Sequence, residues 1–343
     1  MKASSGADIV THVLAFAGAL VASLLATPIA RRVALRLGIF DHPNERKAHP
    51  DPIPYLGGLG IIVAFVVVML AGALIRDVEG QNDKIAVFLG GGLLLGVVGL
   101  WDDLRPVPWW IKGPVILALG GALYAVGVRA EPFTIWQLNL VVTLVWVLGI
   151  TSAINFLDNM DGLTAGVAVI AASYLSVLTA LTGQVVVASL SAAVAGCALG
   201  FLWYNGPPAR IFMGDAGSLF LGWMLAALAI EPRFDNLQRV TFFVPIAILA
   251  VPIFDTAMIM ASRLRRGLSP LRPGLDHTSH RLVKLGIPRP AAVGLHYAAA
   301  LGSGWLAVVI AFARPSTAYL LMGWIVAVGA FLAVLMLQVK VDD

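Results

Sequence analysis

Long apolar runs follow one another along almost the whole chain, and they restrict the fold more than any other feature. A run of about 20 apolar residues forms a helix that crosses a bilayer with its backbone polar groups bonded internally. The chain is 59% hydrophobic and 12% charged, whereas soluble domains contain about 25% charged residues. The surplus apolar surface is therefore expected to face lipid. Eleven runs can be counted, at roughly 9–30, 57–75, 85–101, 113–129, 137–154, 163–182, 184–204, 217–231, 240–262, 291–312 and 317–338.

These runs predict an all-α, polytopic integral membrane protein with about eleven transmembrane helices, although the short eighth run leaves ten open. With eleven spans, the loops on one side and the C-terminal tail hold 16 of the 23 Lys and Arg residues, and the other side holds 7. Because short loops rich in Lys and Arg stay in the cytoplasm, we expect the N-terminus outside and the C-terminus inside the cell. The cytoplasmic loops are then about 31–56, 102–112, 155–162, 205–216 and 263–290.

No linker or low-complexity segment separates the spans, so residues 1–343 are predicted to form one domain in the plasma (inner) membrane. The net charge of +4 arises in the cytoplasmic loops, as the orientation rule requires. No recognition motif accompanies this charge, so we expect no nucleic-acid partner. The one cysteine, Cys197, lies inside an apolar span, where packing is its expected role.

Acidic residues collect at the cytoplasmic ends of the spans. Asp102 and Asp103 end the third span, where two adjacent acids repel each other and oppose the helix dipole. A cation is therefore expected beside them. Asn155, Asp158 and Asp161 recur at intervals of three and, if helical, would share one broad face. No Lys or Arg in their loop neutralises them, which disfavours a purely structural role.

Asp215 stands among glycines in Met213-Gly-Asp-Ala-Gly-Ser218, at the start of the eighth span. Glycines let backbone N–H groups approach a phosphate closely, although an aspartate at a helix N-terminus is also an ordinary cap. Carboxylate and amide oxygens suit Mg²⁺, or Mn²⁺, better than zinc. The acidic loops together therefore predict a hard divalent cation at the cytoplasmic face.

Basic and imidazole side chains lie in the first and last long cytoplasmic loops. The first loop carries Asn44, Arg46 and Lys47, and the last carries His277, His280 and Arg281. Their spacing assembles no zinc site. Histidines beside Arg and Lys are better suited to binding the oxygens of a phosphate or pyrophosphate. Oxygen ligands with phosphate-binding cations are the equipment of phosphoryl transfer, and the membrane setting predicts a lipid phosphate as one substrate.

The ninth span contains Pro245, Pro252 and then Asp255 within an apolar run. Prolines predict a broken or bent helix there. An ionisable residue inside a span indicates a functional site, but Asp255 could equally satisfy backbone groups freed by the break. For His296, inside the tenth span, packing is the expected role.

The motifs, in this order, resemble those of the polyprenyl-phosphate N-acetylhexosamine-1-phosphate transferases (glycosyltransferase family 4). The resemblance rests on Asp41-His-Pro-Asn-Glu-Arg-Lys-Ala-His49 with Pro52-Ile-Pro-Tyr-Leu-Gly-Gly58, Asp102-Asp103, Asn155…Asp158…Asp161-Gly162-Leu163, Phe212-Met-Gly-Asp-Ala-Gly-Ser218 and Asp276-His…His280-Arg-Leu282. The chain is more similar to bacterial undecaprenyl-phosphate GlcNAc-1-phosphate transferases than to phospho-MurNAc-pentapeptide translocase. The translocase has three consecutive histidines in its last inner loop, whereas Thr278 and Ser279 separate the two histidines here.

The resemblance implies transfer of a sugar-1-phosphate from a UDP-sugar to undecaprenyl or decaprenyl phosphate, with Mg²⁺ as cofactor and UMP as product. It implies that Asp215, with Asn155, binds the metal, and that the first-loop residues and those of the last loop bind substrate. Asp102 and Asp103 would handle the lipid phosphate, while Asp158 and Asp161 would orient the nucleotide end. His277 would contact the donor phosphates. Ser152, Asn159 and Ser279 depart from the family's frequent Asn, Gly and His.

Two other classes compete with this interpretation. Transporter ion sites lie near the bilayer midplane on broken helices, whereas these acids, Asp255 excepted, lie at cytoplasmic span ends. A CDP-alcohol phosphotransferase would share Asp161-Gly162 but needs later paired aspartates that are missing here. Within the transferase interpretation we favour direct attack of the lipid phosphate over a covalent aspartyl-phosphate intermediate. A homodimer is compatible with the sequence.

Overall fold

The computed structural model describes residues 5–41, 52–75, 80–232, 241–270 and 274–340. These segments are almost entirely helical, and a two-residue antiparallel ribbon joins the ends of the first long loop. In chain order the elements are α1 (Gly6–Leu37), β1 (Phe40–Asp41), β2 (Ile53–Pro54), α2 (Gly57–Ile75), α3 (Asn82–Leu104), α4 (Trp109–Ala125), α5 (Trp136–Leu157), α6 (Leu163–Leu181), α7 (Val185–Asn205), α8 (Gly214–Ile230), α9 (Phe243–Ile248), α10 (Ala250–Arg265), α11 (Thr278–Lys284), α12 (Arg289–Phe312) and α13 (Pro315–Leu337).

The helices follow the predicted spans, and they establish a multi-pass, all-α membrane protein. Eight helices in the described segments are long and apolar enough to cross a bilayer. Helices α4 and α8 have 17 residues each and occupy the predicted fourth and eighth spans. The predicted ninth span is divided at Leu249 into α9 and α10, with a proline in each part. Proline lacks a backbone N–H and crowds the preceding turn, so the predicted break is confirmed.

Helix α8 forms the centre of the bundle, and every residue from Ala216 to Ile230 is buried. It packs against α2, α3 and α5. Glycines allow these backbones to touch: a Cβ on Gly99 of α3 would lie 2.3 Å from the carbonyl oxygen of Asp215, and one on Gly58 of α2 would lie 2.2 Å from the nitrogen of Gly217. The close approach fixes the start of α8 against α2 and α3, where the predicted site lies.

The periphery is apolar and exposed, as expected of a surface that faces lipid. Leu14 and Leu25 of α1 and Leu320 and Phe331 of α13 are among the large exposed hydrophobic side chains. In α13 only a small part of the apolar surface is covered by other helices. In water this surface would be strongly unfavourable, so it supports the membrane assignment.

Candidate active site

Asp103 and the start of α8 form the centre of the site. The two carboxylate oxygens of Asp103 accept the backbone N–H groups of Asp215 at 2.7 Å and of Ala216 at 3.2 Å. A carboxylate from α3 therefore caps α8, where negative charge is favourable to the helix dipole. Gly214 has a φ of 74°, and a Cβ there would lie 2.6 Å from Asp103 Oδ2. Only glycine fits at this position.

Lys112 supplies the cation that the adjacent aspartates predicted. Its Nζ lies 2.5 Å from Asp102 Oδ2 and 3.2 Å from Asp215 Oδ2. The other oxygen of Asp102 accepts the backbone N–H of Val107. Acids from α3 and α8 thus share one ammonium group from α4. Sequence analysis did not single out Lys112, although it is the only lysine in the loop that follows the two aspartates.

Asn155 holds the other side of the Asp215 carboxylate. Its Nδ2 donates to Asp215 Oδ1 at 3.0 Å and to Ser218 Oγ at 2.9 Å, and Ser218 Oγ donates to the carbonyl oxygen of Gly214 at 3.1 Å. The amide nitrogen, rather than the oxygen, therefore faces Asp215 in this structure. Asn155 orients the acid, and its role as a metal ligand stays a prediction.

Asn155, Asp158 and Asp161 do not share one helical face, so that part of the expectation was wrong. Helix α5 ends at Leu157, and the next residues form a tight turn that ends at Gly162, where φ is 75°. Asp161 Oδ2 accepts the backbone N–H of Ala209 at 2.9 Å. This bond ties the turn to the segment between α7 and α8. The turn, rather than a continuous helix, sets the direction of the acids.

Asp158 is the most electrostatically perturbed acid of this turn. Burial raises its pKa to about 7, and the charges of Asp215 and Asp161 act in the same direction. Near neutral pH the carboxyl group is thus divided between its protonated and ionised forms. A half-buried acid beside two others indicates a place where a cation or a substrate could compensate negative charge.

Tyr55 is a further residue of the site. Burial raises the pKa of its hydroxyl, and the nearby charges of Asp103, Asp215 and Asp158 add to this effect. Its loop is joined to the segment before α8 by backbone bonds from Gly57 and Gly58 to the carbonyl oxygens of residues 212 and 213, at 2.9 and 2.8 Å. The sequence carried Tyr55 only as part of a longer motif, so its position among the acids was missed.

Helix α11 contacts the turn through a side-chain hydrogen bond. Ser279 Oγ donates to Asn159 Oδ1 at 2.6 Å. The hydrogen bond therefore joins two of the three positions at which the chain departs from the resembled family. His277 lies two residues before this contact, and the centres of the His277 and His280 rings are 6.0 Å apart.

His280 and Arg281 differ from their expected role as cationic phosphate contacts. Burial, reinforced by the charge of His277, lowers the pKa of His280 to about 4, so its ring is neutral at pH 7 and can act only as a neutral donor or acceptor. Arg281 is buried, and its guanidinium donates to the carbonyl oxygens of Asp276, Met336 and Val339 and to Ser262 Oγ. These bonds assign Arg281 to holding the C-terminal end of α13.

The first-loop residues Asn44, Arg46 and Lys47 lie outside the described residues.

The carboxylates can be tested as ligands of the predicted divalent cation. Within the described segments, no three His, Cys, Asp or Glu side chains are grouped to hold a metal by themselves. Mg²⁺, however, is usually bound by one or two carboxylates together with water and substrate phosphates. Asp102 and Asp215, which share the ammonium of Lys112, are such a pair. The donor set therefore fits Mg²⁺ held jointly with a phosphate ligand.

Similarity to known proteins agrees with this site. Residues 85–232 match glycosyl transferase family 4. A probable undecaprenyl-phosphate N-acetylglucosaminyl 1-phosphate transferase of Bacillus subtilis is 34% identical over 294 residues, which cover 83% of this chain and 81% of that protein. A decaprenyl-phosphate N-acetylglucosaminephosphotransferase of Mycolicibacterium smegmatis is 31% identical over 357 residues (92% and 84%). The Escherichia coli undecaprenyl-phosphate alpha-N-acetylglucosaminyl 1-phosphate transferase is 27% identical over 288 residues (79% and 77%). The chain therefore belongs to glycosyl transferase family 4, whose polyprenyl-phosphate N-acetylhexosamine-1-phosphate transferases its motifs resemble.

Proposed function

We propose that this protein transfers N-acetylglucosamine-1-phosphate from UDP-GlcNAc to a polyprenyl phosphate and releases UMP. The names of its relatives supply the class of acceptor and sugar. The observation that carries the proposal is the meeting of Asp102, Lys112 and Asp215, which come from three different helices, at distances of 2.5 and 3.2 Å. Two carboxylates and an ammonium group at one end of a membrane bundle suit a phosphorylated substrate and its cation.

Mg²⁺ is the proposed cofactor, and Asp215 and Asp102 are its proposed ligands, together with Asn155 if its amide turns. When bound, the ion would neutralise charge on the diphosphate and on the departing phosphate. Lys112 would then donate to phosphate oxygens, since an ammonium with three donors binds them as a point charge. Tyr55 would offer a neutral hydroxyl to the same oxygens, because its surroundings oppose ionisation.

The reaction that this site supports is a direct displacement at phosphorus. An oxygen of the lipid phosphate forms a bond to the phosphorus that bears the sugar, and the bond from that phosphorus to the bridging oxygen breaks. UMP leaves with the electron pair. A phosphate monoester has a second pKa of about 6, so the lipid phosphate is mostly a dianion at neutral pH. No general base is needed, and no net proton is released if UMP leaves as a dianion.

The alternative, a covalent phosphate on Asp102, has weaker support. Both carboxylate oxygens of Asp102 already accept hydrogen bonds, from Lys112 and from the backbone N–H of Val107. Such bonds stabilise a carboxylate and reduce its nucleophilicity. Asp102 is better suited to binding the cation and holding Lys112 beside it. Trapping of a sugar-phosphate on Asp102 would contradict direct attack.

Sidedness is the part of the proposal that labelling can test. We propose that the acids face the cytoplasm, since the loops on their side carry most Lys and Arg. The native Cys197 is buried, so new cysteines can be labelled selectively. Arg105→Cys, beside the acids, should react only from the cytoplasmic side, and Glu131→Cys, at the other end of α4, only from outside. Labelling with the opposite pattern would show that the acids face the outside.

The activity itself is tested with purified protein in detergent and a panel of UDP-sugars. We expect UMP release that needs both a UDP-N-acetylhexosamine and a polyprenyl phosphate, with UDP-GlcNAc as the preferred donor. Glu231→Gln, a change at the opposite end of α8, serves as the control because it alters a buried carboxylate about 24 Å from Asp215. UMP release that does not depend on the polyprenyl phosphate would refute the proposal.

A further inference from the structure

Asp255 of α10 has partners that sequence analysis could not foresee. The residue is 1% exposed. Oδ1 accepts the backbone N–H of Thr278 at 2.7 Å and lies 2.7 Å from Thr278 Oγ1, while Oδ2 lies 2.8 Å from His277 Nδ1. Three interactions thus join one buried acid to two consecutive residues at the start of α11. Satisfying backbone groups freed by the break in the ninth span would not require this set of partners.

The same network continues to α12. Thr278 Oγ1 lies 2.9 Å from His296 Nε2, and His296 Nδ1 lies 2.7 Å from the carbonyl oxygen of Ala292. A carbonyl oxygen only accepts, so His296 Nδ1 carries a proton. His296 is therefore a hydrogen-bonded member of a polar network, and the expected role in packing alone was incomplete.

Counting protons shows how this buried network balances its charge. The two hydrogen bonds along Asp255 Oδ1, Thr278 Oγ1 and His296 Nε2 need two protons, and the hydroxyl supplies one. The second lies either on His296, as an imidazolium beside an ionised Asp255, or on Asp255 beside a neutral imidazole. In both cases Asp255 and His296 together carry no net charge. A neutral unit is what burial favours, because an unpaired buried charge is costly.

The charge balance of Asp255 and His296 determines how His277 bonds to Asp255. With Asp255 and His296 neutral as a unit, Asp255 Oδ2 has no proton and accepts one from His277 Nδ1. The Nδ1–H is then held on Asp255, and Nε2 on the opposite side of the ring is left to a second partner; with a proton on Nε2 as well, the ring can donate to a phosphate oxygen. The hydrogen bond between Ser279 and Asn159 holds the next residues of α11 against the turn that contains Asp158. His277 is thus fixed in orientation beside the acidic turn, with its Nδ1 as a donor to Asp255.

We propose that Asp255, with Thr278 and His296 behind it, is a positioning residue that holds the Nδ1–H of His277 so that the ring, protonated at both nitrogens, donates from Nε2–H to oxygens of the substrate phosphates. The inference rests on the proposed function, because it gives His277 a phosphate-contacting role. It predicts that Asp255 acts on turnover only through His277. A residue that merely stabilised the fold would affect turnover whether or not His277 is present.

A double-mutant cycle separates these two roles. Turnover of UDP-GlcNAc to UMP is measured for the wild type, Asp255→Asn, His277→Ala and the double variant, with the amount of folded protein determined by size-exclusion chromatography. We expect Asp255→Asn to lower kcat/KM about ten- to hundred-fold, as loss of a hydrogen bond to a charged group can. In the His277→Ala background the same substitution should have no further effect. Additive losses, or full turnover by Asp255→Asn, would overturn the inference.

Variants of Thr278 test the inference if Asp255→Asn misfolds, and NMR tests it if the proposed function fails. If Asp255→Asn does not fold, Thr278→Val should lower turnover and Thr278→Ser should retain it, since only serine keeps the hydroxyl. Equal turnover by these two variants would contradict the network. If the wild type releases no UMP, the proposed function fails by itself. Nitrogen-15 NMR of labelled histidine then decides, because His277 Nδ1 should carry a proton in the wild type and its nitrogen-15 shift should move in Asp255→Asn or Thr278→Val; an unprotonated Nδ1, or a shift unchanged in both variants, would overturn the inference.

Discussion

Replacing Asp158 with asparagine should make the protein more stable while impairing turnover. The pKa of Asp158 is raised from an ordinary value of 3.8 to about 7, first by burial and then by neighbouring acids. The folded protein therefore keeps the proton that the unfolded chain loses, and stability falls as pH rises from about 4 to about 7. Each pKa unit corresponds to about 1.4 kcal/mol, so the cost above pH 7 is at most about 4 kcal/mol. The asparagine amide does not ionise, so the variant avoids this cost.

The assay is thermal unfolding in detergent with EDTA, at pH 5, 6, 7 and 8, so that no bound cation stabilises the ionised acid. The advantage of Asp158→Asn over the wild type should widen from pH 5 and level off near pH 8. Asp276→Asn is the matched control, for which the opposite change in stability is expected. Although burial alone would raise the pKa of Asp276, the two bonds from Arg263, at 2.9 and 2.7 Å, lower it. Its amide variant should be destabilised at neutral pH. A pH-independent loss of stability in Asp158→Asn would refute the reasoning.

Three further predictions address the contacts around the site. Lys112→Met should reduce kcat about a hundredfold or more, because it removes a preorganised phosphate donor, whereas Lys112→Arg should retain part of the wild-type kcat. Equal activity of both variants would exclude Lys112 as a phosphate donor. Gly99→Ala should lower the unfolding temperature, because its Cβ would meet a backbone carbonyl of α8 at 2.3 Å. Gly72→Ala, with open space around it, should be neutral or slightly stabilising, and similar losses in both would refute the packing argument. Asn159→Ala and Ser279→Ala should be non-additive in kcat/KM, whereas additive effects would show that their hydrogen bond is not a functional link.

The fold was largely predictable because apolar length and proline position are local properties of a sequence. The eleven runs and the division of the ninth span near Pro245 and Pro252 follow from the cost of unsatisfied backbone groups in lipid. The central position of α8 was not predictable. It depends on backbone contacts at Gly58 and Gly99, and a glycine in a long apolar run does not reveal which partner helix it faces.

The site was predictable as a set of acids but not as a geometry. Spacing alone could not show that Asp103 caps α8 or that the cation expected beside it is Lys112. It also could not show that Arg281 uses its donors on carbonyl oxygens of the C-terminal segment rather than on substrate. Hydrogen bonds between residues far apart in the chain decide these roles, and no local pattern encodes them.

The central claim is that carboxylates from α3 and α8 hold a divalent cation together with the donor diphosphate. Titration with Mn²⁺, which accepts the same oxygen ligands as Mg²⁺, tests it directly by electron paramagnetic resonance. We predict a bound Mn²⁺ signal that strengthens when UDP-GlcNAc is added to the wild type and is lost in Asp215→Asn. Mn²⁺ binding that is unchanged by Asp215→Asn and indifferent to the nucleotide sugar would contradict the account.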